Sequence, residues 1–189
     1  ASISSFSQIE KGNFYIGANS GIGASFTTNS IDNNNSTKDV ANTNSFSINT
    51  QGGYTIASNL VLGVELAFSY SNVSLKDSQS DSTNSRYAIG PFLKYYFSEK
   101  EFKPFLLAEY GFGSQYSKYE TSLSMTETEE KITALILGGG ISYFINDNIG
   151  LELGVSYTKS TFKSKINNPT NRKSINSGIG TSIGFVLIF

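Results

Sequence analysis

Five charged residues, Glu65, Arg86, Lys94, Glu109 and Glu152, interrupt segments that otherwise alternate apolar side chains with Gly, Ala, Ser and Asn. Carboxylates interleaved with an ammonium and a guanidinium can neutralise one another, pass protons or gate a pore. Each of these uses needs the groups gathered in one confined space. Other chemistry is scarce. With no His and no Cys there is no imidazole base, no thiolate, no disulfide and no zinc site built on those ligands. No enzyme, cofactor or metal site is expected. Gly21-Ile22-Gly23 and Gly178-Ile179-Gly180 look like pieces of a nucleotide loop. Neither opens a predicted helix or is followed by Lys-Ser/Thr, so both read as interior spacers. Asn34, Asn35 and Asn72 begin Asn-x-Ser/Thr triplets, which carry meaning only in a chain that meets a glycosylation machinery and mean little if the chain is bacterial.

The elements that must position the five charges follow from composition and period. The chain has 189 residues, 38% hydrophobic, 13% aromatic and 15% charged, with 18 Gly. That length suits one domain, and the charge falls well below the usual quarter of a soluble domain. No window approaches the roughly 18 consecutive apolar residues of a spanning helix. With 14 basic and 15 acidic residues the net charge is −1, which gives no footprint for nucleic acid. The start, Ala1-Ser2-Ile3-Ser4-Ser5, lacks Met and is expected to be that of a mature chain after removal of a signal peptide.

Period-two alternation recurs from Phe14 to Phe189 and predicts eight strands, near 13–28, 45–57, 62–70, 86–97, 105–121, 131–145, 149–164 and 178–189. In the first, Phe14, Ile16, Ala18, Ile22, Ala24 and Phe26 share one face, against Tyr15, Gly17, Asn19, Gly21, Gly23 and Ser25. All eight can supply the 9 to 11 or so residues of a membrane-spanning strand. Pro91 is expected to make a local bulge, and Gly138-Gly139-Gly140 leaves the register of the sixth strand open. Long polar connections (29–44, 76–85, 122–130, 165–173) alternate with short ones (58–59, 98–104, 146–148). This is the pattern of an up-and-down barrel with long loops at one end and both termini at the other. The stretch Asn33-Asn34-Asn35-Ser36-Thr37 is of low complexity and expected to be mobile. Residues 1–11 are read as an N-terminal periplasmic segment and 12–189 as the barrel domain.

A soluble eight-stranded carrier also alternates, but its polar face would carry Lys, Glu and Arg. Here that face is small, as a cramped interior requires. Phe14, Phe26, Tyr54, Tyr70, Tyr95 and Phe97 stand near strand ends on the apolar face, where interfacial girdles lie. The expected fold is therefore an all-β, eight-stranded antiparallel transmembrane barrel. Folding the third and fourth strands about the middle of 76–85 places Glu65 opposite Lys94, and the next hairpin brings Glu109 beside Lys94. Lys94 is thus expected to bridge the two carboxylates, with Arg86 and Glu152 nearby, as a lumenal ion-pair plug.

The last strand, Gly178 to Phe189 with its terminal Phe, resembles the assembly signal of Gram-negative outer-membrane barrels, on Ile183, Phe185, Leu187 and Phe189. The whole layout is similar to the small barrels of the OmpX and OmpA membrane-domain type, and the Asn-rich, Lys-containing loops are similar to versions in Bacteroidetes. The resemblance implies the bacterial outer membrane as location. It also implies membrane lipid and the barrel-assembly machinery as partners, with a larger outer-membrane complex as a further candidate. It does not extend to the peptidoglycan-binding domain of full-length OmpA. The enzymes of this fold rely on a catalytic His, so it carries no activity over. The expected role is a structural or accessory subunit acting through its loops or lipid-facing wall. The alternative is a narrow channel or a lateral conduit for small hydrophobic molecules.

Overall fold

The computed structural model describes residues 9–19, 23–32, 37–75, 80–98, 100–121, 123–165 and 173–189. Within them the chain forms β1 (Phe14–Asn19), β2 (Gly23–Asp32), β3 (Thr37–Ala57), β4 (Leu60–Leu75), β5 (Ser80–Tyr96), β6 (Phe102–Glu120), β7 (Met125–Phe144), β8 (Ile149–Ser164) and β9 (Lys173–Ile188). Every neighbour pairs antiparallel in chain order, and β1 closes the sheet against β9, with Tyr15 opposite Ile188 and Asn19 opposite Gly184. Both β1 and β2 lie along β3, Ala18 against Thr50 and Gly23 against Ser47, and together form one barrel strand. The result is a closed, eight-stranded, up-and-down barrel. The first predicted strand is divided in two; Gly21-Ile22 and residues 33–36 of the low-complexity stretch lie outside the described residues.

Alternation sets the two faces. Along β4, Leu62, Val64, Leu66, Phe68 and Tyr70 are exposed while Val61 and Glu65 are buried. Exposed aromatics include Phe14, Tyr54, Tyr70, Tyr95 and Phe97, as expected of the outer wall; the Phe26 side chain lies outside the described residues. A sheet this greasy outside is stable only in a bilayer, where apolar side chains meet acyl chains and closure leaves few unpaired backbone groups.

Of the long polar connections, 29–44, 76–85 and 122–130 are largely strand, which corrects the loop reading, while 166–172 lie outside the described residues. β4 continues to Leu75, β5 begins at Ser80, β6 reaches Glu120 and β7 begins at Met125. Ser, Thr and Asn sustain the ladder by pairing across it: Asn72 Nδ2 donates to Thr83 Oγ1 at 3.0 Å and Ser117 Oγ to Asn84 Oδ1 at 2.7 Å. Polarity marked where the apolar band stops; the strands run on past it.

At the opposite end the turns are tight. Asn59, at φ 64, turns the β3–β4 hairpin. In the β7–β8 turn, Asn146 Oδ1 accepts from the backbone N–H groups of Asn148 and Ile149. Both described chain ends lie here, since Phe14 and Phe189 exchange backbone hydrogen bonds. Ile9, assigned from sequence to a separate periplasmic segment, is 1% exposed and belongs to the interior cluster of Tyr15, Val61, Phe92, Tyr96, Phe105, Phe144, Val186 and Ile188. Pro91 makes no bulge: the β5–β6 pairing skips Gly90 and Pro91 and resumes without a change of register. Pro91 therefore removes a ladder bond without adding a residue. The Gly138–Gly140 run keeps β7 in register with both neighbours, Leu107 and Ser156 flanking Gly138.

Candidate functional site

The inward face combines small residues with a few large ones, and the small ones make room. A Cβ at Gly140 would lie 2.8 Å from the Phe105 ring, and one at Gly63 would lie 2.6 Å from the Phe92 ring. Phe105 and Phe92 thus fill the lumen from β6 and β5 at the short-turn end. Lys94, between Phe92 and Tyr96 on the inward face of β5, reaches into this packed region and is 2% exposed.

Its ammonium is fully engaged. Lys94 Nζ donates to Glu152 Oε2 at 2.7 Å and to Tyr15 OH at 2.7 Å, and stands 4.7 Å from the Phe105 ring centroid and 5.2 Å from that of Tyr15. Glu152 Oε1 in turn accepts from Tyr96 OH at 2.8 Å and Ser142 Oγ at 2.7 Å. A buried ion pair is tolerated when its remaining lone pairs and protons find partners, and both carboxylate oxygens here do so.

This corrects the expected pairing. Lys94 stands opposite Val61 and Leu107 in the ladder, while Glu65 faces Gly90 and Glu109 faces Phe92. The β4–β5 strands run up to Leu75 and Ser80, so the hairpin centre lies lower in sequence than the middle of 76–85. Glu65 is consequently four residues out of the assumed register. Lys94 reaches it only through a relay: Tyr15 OH donates to Gln51 Oε1 at 3.1 Å, and Gln51 Nε2 donates to Glu65 Oε2 at 2.7 Å. Glu109 lines the same cavities as Glu65. Glu152, expected only nearby, is the direct partner. Arg86 stands higher, its guanidinium 5.6 Å from the Phe162 ring. Tyr15, Gln51, Tyr96 and Ser142 were not singled out from sequence, although their inward parity beside a buried charge was the available signal. Lys103, read as part of a turn, is also fully buried, its Nζ 3.2 Å from the Ser98 carbonyl oxygen.

Above Lys94 the lumen is hollow. One cavity of about 240 Å³ is lined by Glu65, Lys94, Leu107, Glu109 and Glu152 among others, and reaches Ala18 on β1 and Thr181, Ser182 and Gly184 on β9. A second, of about 270 Å³, is lined by Ser47, Ser69, Arg86, Gly111 and Ala134, and shares Asn49, Glu65, Glu109 and Ile136 with the first. Among the described residues no set of three or more Asp, Glu, His or Cys is placed to hold a metal ion. On the outer wall, Ile183, Phe185 and Phe189 are exposed and Leu187 half-buried, on one face of β9 and its end.

The family model described as outer membrane protein beta-barrel domain matches residues 1–185. Among solved structures, the Neisserial surface protein A is 20% identical over 95% of this chain and 100% of its own, with a TM-score of 0.47. The attachment invasion locus protein Ail of Yersinia pestis is 15% identical over 95% and 99%, at 0.45. The outer membrane protein OprG of Pseudomonas aeruginosa is 15% identical over 95% and 97%, at 0.48. No curated protein matches the chain.

Proposed function

Because the chain belongs to the outer membrane protein beta-barrel domain family, and so resides in the bacterial outer membrane, we propose that it is a non-enzymatic barrel serving there as a structural or accessory subunit. The observation that carries this reading is the filled lower lumen. Tyr15, Phe92, Tyr96, Phe105 and Phe144 are buried there around the Lys94–Glu152 pair. An eight-stranded wall leaves an interior just wide enough for side chains, and here they occupy it. Glu65 is tied to this plug by the Tyr15–Gln51 relay, and Glu109 and Arg86 line the lumen above it. Action is then left to the outer wall and the tall hairpins, with membrane lipid and a larger outer-membrane complex as partners and no nucleic acid. Ile183, Phe185, Leu187 and Phe189 serve as the signal read by the assembly machinery during insertion. Copurification from native membranes in mild detergent tests the role: a stoichiometric larger partner supports it, and recovery of the barrel alone counts against it.

One observation favours a second reading, a lateral conduit for small hydrophobic molecules. Among the described residues β2 pairs with β3 and β9 with β8 and β1, with no pairing given between β2 and β9, and the lower cavity reaches Thr181, Ser182 and Gly184 on β9. Vesicles carrying the barrel would then take up a small hydrophobic dye faster than empty ones; equal rates would remove the conduit.

A further inference from the structure

The upper edge of the outer wall carries a row of charge that works against its own stability. On the outward face Lys131 of β7 stands directly opposite Lys163 of β8, and Lys163 directly opposite Lys173 of β9. Partners so placed have Cβ atoms about 5 Å apart, and like charges there repel. No carboxylate relieves them: among the described residues Lys131, Lys163 and Lys173 form no ion pair. Glu129, the next outward residue above Lys131, is held by Lys165, and higher up Lys118 holds Glu120 and stands opposite Glu127.

The height of the row is informative. Tyr143 packs on Phe102 at the short-turn end, and Lys131 lies 12 residues further up β7. At a tilt near 40° that is a rise of about 30 Å, just beyond an apolar band about 25 Å tall, so the row meets lipid headgroups. Lys159 adds a fourth cation from below. It faces outward on β8 between Leu135 and Ser177, above the exposed rung of Leu137, Tyr157 and Ile179. A lysine on this part of the wall is tolerated when its stem carries the ammonium up to the headgroups, here toward Lys163.

We propose that this patch is a binding site for an outer-leaflet lipid whose headgroup carries phosphate monoesters, held by Lys131, Lys159, Lys163 and Lys173. Such a phosphate brings nearly two negative charges and three acceptor oxygens, enough to bridge neighbouring ammonium groups. Its acyl chains lie along Leu137, Tyr157 and Ile179. The inference rests on the outer wall being the working surface, and it names the lipid that this wall selects.

The full chain in phosphatidylcholine bicelles is titrated with bisphosphorylated lipid A, phosphatidylglycerol or inorganic phosphate. The backbone amides of Thr133, Thr161 and Ile175, the rung next below the row, report binding. Saturable shifts with lipid A are expected, with affinity for phosphatidylglycerol about tenfold weaker and no response to inorganic phosphate at equal concentration. Lys163→Gln weakens lipid A binding about tenfold, whereas Lys118→Gln, higher on the wall, leaves it unchanged. Urea unfolding in phosphatidylcholine vesicles gives a second readout. Without lipid A the Lys163→Gln midpoint lies at or above that of wild type, because a repulsive charge is gone; with lipid A the order reverses. Equal affinity for phosphatidylglycerol would overturn the phosphate monoester, and a response to inorganic phosphate would overturn a lipid as its source. Full affinity in Lys163→Gln, or a lowered midpoint without lipid A, would overturn the lysine row as the site. Any of these outcomes leaves the accessory role to its own copurification test.

Discussion

Replacing Lys94 by Met tests the plug where its energetics are best defined. Met nearly matches the volume of the Lys stem, so little cavity is created and the change is mainly electrostatic. Two hydrogen bonds from the ammonium disappear, to Glu152 and to Tyr15, and Glu152 is left without a cation in a region where its side chain is 12% exposed. Breaking a buried pair from one side costs about 3–5 kcal/mol. Tyr96 and Ser142 still donate to the stranded carboxylate, which places the expected loss near the lower end, about 3 kcal/mol. Equilibrium urea titration in phospholipid vesicles should show a lower midpoint at unchanged slope. In Lys94→Met/Glu152→Gln the amide retains the Tyr96 and Ser142 contacts without a charge, so the double variant should regain about 1–2 kcal/mol. A single-variant loss below about 1 kcal/mol, or a double variant as unstable as the sum of the two singles, would refute the claim that this pair is buried and coupled.

Planar-bilayer recordings of wild type should show little steady conductance, with brief openings in Lys94→Ala, where the plug is shortened; large stable wild-type channels would contradict a filled lumen. Unboiled protein should migrate differently from boiled protein on a denaturing gel, as a closed β-barrel resists unfolding, and identical mobility would argue against closure. Deleting Phe189 should reduce assembly in cells far more than a single wall side chain affects stability, and normal surface levels would remove the assembly role of the last strand. Gly140→Ala should destabilise the barrel by about 1–3 kcal/mol, because the added Cβ strikes the Leu153 carbonyl at 2.1 Å and Phe105. Gly178→Ala, with nothing within 4 Å, should stay within about 0.5 kcal/mol by the same urea titration.

Alternation made the wall legible in the sequence, since a period of two assigns each side chain to lipid or lumen wherever the register is unbroken. It put Glu65, Lys94, Glu109 and Glu152 inside before any contact was known. Parity does not fix height along the barrel, and height depends on where each hairpin turns. Polar residues of the β4–β5 and β6–β7 hairpins looked like loop but continue the ladder, so Glu65 was set four residues too close to Lys94. The aromatic filling of the lower lumen was hidden for a different reason. Phe92, Tyr96, Phe105 and Phe144 carry the residue types of the lipid wall, and only the glycines opposite them, Gly63 and Gly140 among others, indicate that rings turn inward.

The continuation of the strands beyond the apolar band also sets how far the protein stands from the cell. β7 has 20 residues, which at about 3.3 Å each and a tilt near 40° rise about 50 Å, roughly twice the height of a bilayer-facing band. The upper half is therefore a turret of paired strands. Its summit stands clear of the lipid headgroups, within reach of large molecules that cannot approach the membrane plane. Because the turret is held by its own cross-strand bonds rather than by the lumen, sequence at its summit can diversify, or accept an inserted epitope, without disturbing the packed base.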